Sequence, residues 1–203
     1  MEMNQKIRES VLHTWKIESE EIARLAETVD EEVLETIVEK ISSCKGKIIL
    51  TGCGTSAMAA QKIVHSLRVI DIPSLYLNPS DAVHGALGVV QRDDVVIFIS
   101  KGGNTAELLS FLENVKRKEA YVIAVSENED SVLARKSDLY LKVRIQREPD
   151  PFDMLATAST MAVIALFDAI CIAIMEQKSF SKDSFALNHP GGAGGERLKG
   201  QRQ

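Results

Sequence analysis

The sequence predicts an α/β protein: a three-layer α/β/α sandwich around a five-stranded parallel sheet, preceded by a pair of helices. Three observations carry that expectation. Strands recur at 47–52, 73–77, 94–100, 121–126 and 138–144, and the continuous apolar runs after Lys47 and Asp94 read as strands buried on both sides. Helical patterns fill 55–70, 80–86, 103–118 and 131–136, and this alternation calls for right-handed crossovers and parallel pairing. Two of the strands also run into glycine loops that reopen as helices.

Taken in order, residues 6–28 form a long amphipathic helix and 30–43 a second, with Val33, Ile37 and Ile41 on one face. Leu12 and Trp15 lie on the first helix's apolar stripe and are expected to pack on the core or on a partner, with His13 at the surface. His65, within the helix after the first loop, reads as structural. Thr157 to Met175 is strongly apolar but interrupted by Asp168, and falls short of the roughly 18 to 20 apolar residues that span a bilayer. It reads as a core or subunit-interface helix, with Asp168 as a structural hydrogen-bonding partner. No linker or repeat divides the chain. One domain over 1–203 is expected: helices 6–43, sheet core 47–176 and tail 179–203.

Composition narrows the function classes. The net charge of −5 argues against a nucleic-acid footprint. Three cysteines without a Cys-x-x-Cys pair indicate neither a disulfide framework nor zinc. The N-terminus lacks the apolar core of a signal peptide, so a cytoplasmic protein without a membrane partner is expected.

The chemistry concentrates in the two loops. Asp94-Val-Val-Ile-Phe-Ile-Ser100-Lys-Gly-Gly-Asn104-Thr105 aims backbone N–H groups and a positive helix end at one spot, with Ser100, Lys101, Gly102 and Thr105 around it. That is a cradle for an anion, most simply a phosphate. A capping box of Asn104 with Glu107 explains part of the same loop without chemistry. The first loop, Thr51-Gly52-Cys53-Gly54-Thr55-Ser56-Ala57, lacks the spacing of a P-loop, and Ala57 stands where a dinucleotide fingerprint has its third glycine. Gly54, Thr55 and Ser56 join the second loop in pointing to a small phosphorylated ligand.

Three segments together resemble the SIS (sugar isomerase) domain family: Gly52-Cys53-Gly54-Thr55-Ser56, the Ser100–Thr105 loop and the tail Ala186-Leu-Asn-His189-Pro190-Gly-Gly-Ala193. His84 in Pro79-Ser-Asp-Ala-Val-His84-Gly, the pair Arg147-Glu148 and the tail look most like the arabinose 5-phosphate isomerase branch. The resemblance implies an aldose–ketose isomerase acting on a phosphorylated sugar through an enediol, without metal or organic cofactor. It implies catalytic roles for Glu107, Glu148, His189 and His84, and a homodimer or homotetramer whose tail histidine reaches a neighbouring subunit's site. The alternative is a non-catalytic sensor of the same ligand. Two residues depart from the pattern: Thr55 stands where the branch has a lysine after Gly-x-Gly, and Gly102 where many family members carry a serine. The chain also ends soon after the tail motif, so the paired CBS domains common in that branch are not expected.

Overall fold

The structure, a computed structural model, describes residues 4–191. Helices α1 (Gln5–Thr28) and α2 (Glu31–Ser42) precede β1 (Ile48–Gly52), α3 (Thr55–Val69) and β2 (Ser74–Tyr76). The short α4 (Pro79–Ala82) leads to β3 (Val95–Ile99), α5 (Ala106–Arg117), β4 (Tyr121–Ser126), α6 (Val132–Lys136) and β5 (Leu139–Lys142). Helices α7 (Ala158–Gln177) and α8 (Lys182–Asn188) close the described chain. All five strands are parallel, in the order β2-β1-β3-β4-β5, as the apolar runs predicted.

Successive strand residues face opposite layers, which is why runs without polar alternation were required. Ile48, Leu50, Ile97 and Ile123 pack under α1, α2, α3 and α7 against Ile37, Ile63, Leu67 and Phe167. Ile49, Val96, Phe98 and Val122 face α5 and α6, where Phe98 meets Phe111 at 5.4 Å between ring centroids. The strand order reverses between β1 and β3. In such sheets the carboxyl ends of the two strands flanking the reversal leave a crevice in which ligands bind. Both glycine loops open from that crevice.

Several expectations change in detail. The helix expected over 80–86 breaks into α4 and a 3-10 turn at Ala86–Val89, because Gly85 between them takes φ 109°. The helix expected from 103 begins at Ala106. The apolar helix is longer than expected: α7 runs 20 residues and by length and composition alone would cross a membrane. Here its Ala162, Leu166, Phe167, Ile170 and Ile174 are buried, while Met161 and Ile172 stay exposed. Leu12 and Trp15 are not core residues, being 50% and 63% exposed. The tail is not wholly irregular, since α8 forms within it, and Gly192-Ala193 of the tail motif lies outside the described residues. Asp168 meets Lys62 in an ion pair between α7 and α3, and His13 and His65 are exposed.

The two glycines of the second loop differ physically. Gly103 takes φ 69°, and a Cβ there would run into the Ser131 side chain; Gly102 has open space. Gly103→Ala is therefore expected to lose at least about 1–2 kcal/mol, the cost of a left-handed backbone for a residue with a Cβ. Gly102→Ala should stay within about 0.5 kcal/mol of wild type. Urea denaturation of both variants checks this, and equal stability of the two would contradict it.

Candidate functional site

Each glycine loop ends in a helix whose first turn lacks a side-chain cap. Gly54, at φ 57° and ψ −129°, turns the chain from β1 into α3 and supplies no capping side chain. Thr105 precedes α5 without capping it through its hydroxyl. Elsewhere Asn4, Asp30, Asn78, Ser131 and Ser181 each cap a helix with a side-chain oxygen. Orphan N–H groups at a helix start carry partial positive charge and ordinarily find a partner. The two helices at the strand-order reversal have no side-chain oxygen capping theirs. Thr55 is exposed and Ser56 half-buried at this opening.

The second loop is built differently from the expected capping box. Asn104 does not cap α5; its Oδ1 accepts the Val132 N–H at 2.9 Å, and Gly103 O accepts the Leu133 N–H at 3.2 Å. The loop is thereby fastened to α6. Ser100 is only 4% exposed, and its hydroxyl is engaged within the loop, 2.8 Å from Thr105 Oγ1 and accepting the Gly103 N–H at 3.1 Å. Ser100 thus ties Thr105 to the loop through its hydroxyl. Thr105 is half-buried at the loop's end and Gly102 is exposed.

Lys101 is engaged by a partner far away in sequence. Its Nζ donates to Glu148 Oε1 at 2.9 Å. Arg147-Glu148 sits in a polar stretch, where a solvated carboxylate would be ordinary, yet the Glu148 side chain has no exposed surface. The Ser159 hydroxyl donates to the same Oε1, and the Thr157 and Ser159 N–H groups donate to Oε2 at 3.1 and 3.3 Å. Glu148 therefore closes the start of α7, serving as the cap that Thr157 does not supply. Burial opposes its ionisation, but the bonds from Ser159, Lys101 and the two backbone N–H groups outweigh it and hold the carboxyl below its ordinary value.

Thr55, Ser56, Lys101, Ser159 and Thr160 line one small cavity of about 40 Å³. Lys101 and Gly102 also border an open polar cleft of about 560 Å³ that includes Asn128, Arg144 and Arg147. Lys101 is the side chain shared by both spaces.

The remaining expected residues are placed less uniformly. Glu107 is exposed in the first turn of α5, and its charge is felt at Cys53 on the opposite loop. Burial and then Glu107 push the Cys53 thiol up, which keeps it protonated and unsuited to thiolate chemistry. His84 is exposed just beyond α4, on the same carboxyl edge of the sheet, with no side-chain partner among the described residues. His189 lies apart from the others. It follows α8, stacks 5.2 Å from Phe185, and adjoins Asn188, which bonds Val69 O and Asp71 at the far end of α3. Since α3 has 15 residues and starts at the cradle, its far end is about 22 Å away. Among the described residues, no group of three or more His, Cys, Asp or Glu side chains is placed to hold a metal.

Ser159 was not anticipated from the sequence. The signal was Thr157, Ser159 and Thr160 at the start of α7, where hydroxyls cluster only in the first turn of an otherwise apolar helix.

With this geometry in place, comparison with known proteins identifies the class: the chain belongs to the SIS domain family, which matches residues 40–173. Among curated relatives, the arabinose 5-phosphate isomerase KdsD of Francisella tularensis is 32% identical over 93% of this chain, and KpsF of Escherichia coli CFT073 is 34% identical over 93%. The chain spans a little over half of the curated relatives it matches, 58% of each of these two. Among solved structures, a provisionally assigned sugar-phosphate isomerase of Listeria monocytogenes superposes with a TM-score of 0.91 at 50% identity, covering 94% of this chain and all of that one. A second structure, an E. coli CFT073 protein in complex with arabinose 5-phosphate, gives 0.88 at 30% identity, covering 93% of this chain and all of that one.

The lowered carboxyl pKa of Glu148 carries a stability prediction. A carboxylate ionised more readily in the folded state contributes stability above its unfolded pKa of about 4.3 and loses it as pH falls through the folded value. Replacing Glu148 by Gln should therefore cost most at neutral pH, and the gap to wild type should narrow below about pH 4. Denaturation curves at about pH 7 and about pH 3.5 measure it, and a gap that widens in acid would contradict the assignment.

Proposed function

We propose that this chain is a sugar-phosphate aldose–ketose isomerase, with arabinose 5-phosphate and ribulose 5-phosphate as the first pair to test. The observation that carries the reading is the buried, ionised Glu148 bonded to a lysine of the glycine loop, beside two helices left uncapped at the strand-order reversal. Its membership of the SIS family and its likeness to arabinose 5-phosphate isomerases support it. The whole 1–203 stretch is read as one SIS unit acting in the cytoplasm.

In this reading the phosphate sits at the starts of α3 and α5, held by backbone N–H groups around Gly54 and Gly102 and by Thr55, Ser56 and Thr105, with Ser100 orienting Thr105 and Lys101 supplying charge. That anchor fixes the sugar at a point remote from the reacting carbons. A base takes the proton from C2 of the aldose while an acid protonates the C1 carbonyl oxygen, and an enediol forms. Returning a proton to C1 as the O2 hydroxyl gives up its own to the acid–base pair yields the ketose. Glu107, Glu148 and His84 are the acid–base candidates along the carboxyl edge of the sheet. His189, about 22 Å from the cradle of its own chain, contributes only to the site of a neighbouring subunit. A homodimer or homotetramer with its site at the interface follows, and Trp15 and Leu12 on α1 with Met161 and Ile172 on α7 offer apolar surface for it.

One observation favours the second reading, a sensor that binds the sugar phosphate without converting it. Both Glu148 oxygens are already occupied by donors, so no lone pair is free to take a proton. An assay of pentose and hexose phosphates for aldose–ketose conversion decides between them. Turnover of at least one pair is expected, and binding without any turnover would establish the sensor.

The shared site predicts complementation. Glu148→Gln and His189→Ala should each abolish turnover, and their mixture, after subunit exchange, should regain it because one hybrid site is intact. A mixture that stays inactive after verified exchange would remove His189 from the neighbouring site. Trp15→Glu should shift the assembly to a smaller species in analytical ultracentrifugation; an unchanged mass would remove this face from the interface.

A further inference from the structure

Resting on the reading above, we propose that Lys101 is an exchangeable clamp: its ammonium bonds Glu148 Oε1, and a phosphate arriving at the loops draws it away, opening Oε1 toward the sugar. The geometry supplies each part. An ionised carboxylate has about four acceptor positions, and Glu148 has four donors on it. Three of them belong to the start of α7: the Thr157 and Ser159 N–H groups, fixed by the backbone, and the Ser159 hydroxyl on its first turn. The fourth, Lys101, arrives on a flexible side chain that is 40% exposed, whereas Glu148 is wholly covered. Lysine is therefore the one donor from outside α7, and it can leave with the donors of that helix still in place.

The place it would go is adjacent. Lys101 lines the small cavity together with Thr55 and Ser56 at the start of α3 and with Ser159, which bonds Glu148. A phosphate at the loops carries more charge than a single carboxylate and competes for the ammonium through several oxygens. As Lys101 turns to it, Glu148 keeps the three helix-borne donors that hold it ionised and in place, and gains an open lone pair on Oε1. The full occupancy of Glu148, which favours a sensor, then holds only while Lys101 stays on it. Thr55 gives this a reason, because with no lysine on the first loop the phosphate has only Lys101 to recruit from the two loops.

The test reads the carboxylate directly, without turnover. The whole protein, labelled with 13C at the glutamate side-chain carboxyl, is titrated with inorganic phosphate, and the Glu148 resonance is assigned by its loss in Glu148→Gln. In wild type the resonance should move with phosphate and saturate with the binding curve measured by calorimetry. In Lys101→Met it should start displaced and no longer respond, while Lys101→Arg should restore the response. A Glu148 resonance that stays still while phosphate binds would overturn the clamp, as would a full response in Lys101→Met. If phosphate does not bind wild type at all, the cradle and the clamp both fall. If the resonance responds but no sugar phosphate is turned over, the clamp stands and the isomerase reading fails.

Discussion

The site depends on one interaction, the bond between Lys101 and the buried Glu148. A carboxylate with no exposed surface is costly to bury alone, and removing one partner of such a pair typically costs about 3–5 kcal/mol. Here the cost is offset by donors from two directions: a side chain on the loop after β3 and the first turn of α7. The pair thus joins a loop of the sheet to a helix far later in the chain. It sets where α7 begins, how the 147–157 segment is held, and which charges face the cavity at the strand-order reversal.

The same logic appears in the caps. Among the α-helices of the described residues, α1, α2, α4, α6 and α8 carry side-chain caps, and α7 uses Glu148 for the purpose. Only α3 and α5 among them present bare N-termini, and they do so side by side because β1 and β3 are neighbours. Two helix starts converging on one point favour an anion there more than either does alone. Tyr76 donating to Gly52 O at 2.8 Å and Asn104 bonded to α6 hold the two loops in place.

Much of this was legible in the residues. Apolar runs such as Val95–Ile99 announced doubly covered strands, and both loops lie where parallel strands must end. What was not legible depended on contacts far apart in sequence. Asn104 followed by Glu107 satisfied a local capping rule, but the nearby start of α6 offered Asn104 a better-placed donor, Val132 N–H. Glu148 lies among charged and proline residues, and nothing local announces that it will be buried under a helix start reached only at Ser159. Lys101 read equally well as a phosphate ligand or a surface charge, because its partner is 47 residues away. The docking of Asn188 on the far end of α3, which separates His189 from its own cradle, depends likewise on a contact that no local pattern encodes.

The central claim is proton transfer at carbon on a phosphorylated sugar, and solvent isotope reports it most directly. Arabinose 5-phosphate incubated with the protein in D2O and followed by proton NMR should yield ribulose 5-phosphate carrying deuterium at C1, with loss of the corresponding proton signal. Substrate that keeps its C2 proton and its spectrum unchanged, under conditions where the same ligand demonstrably binds, would contradict the account.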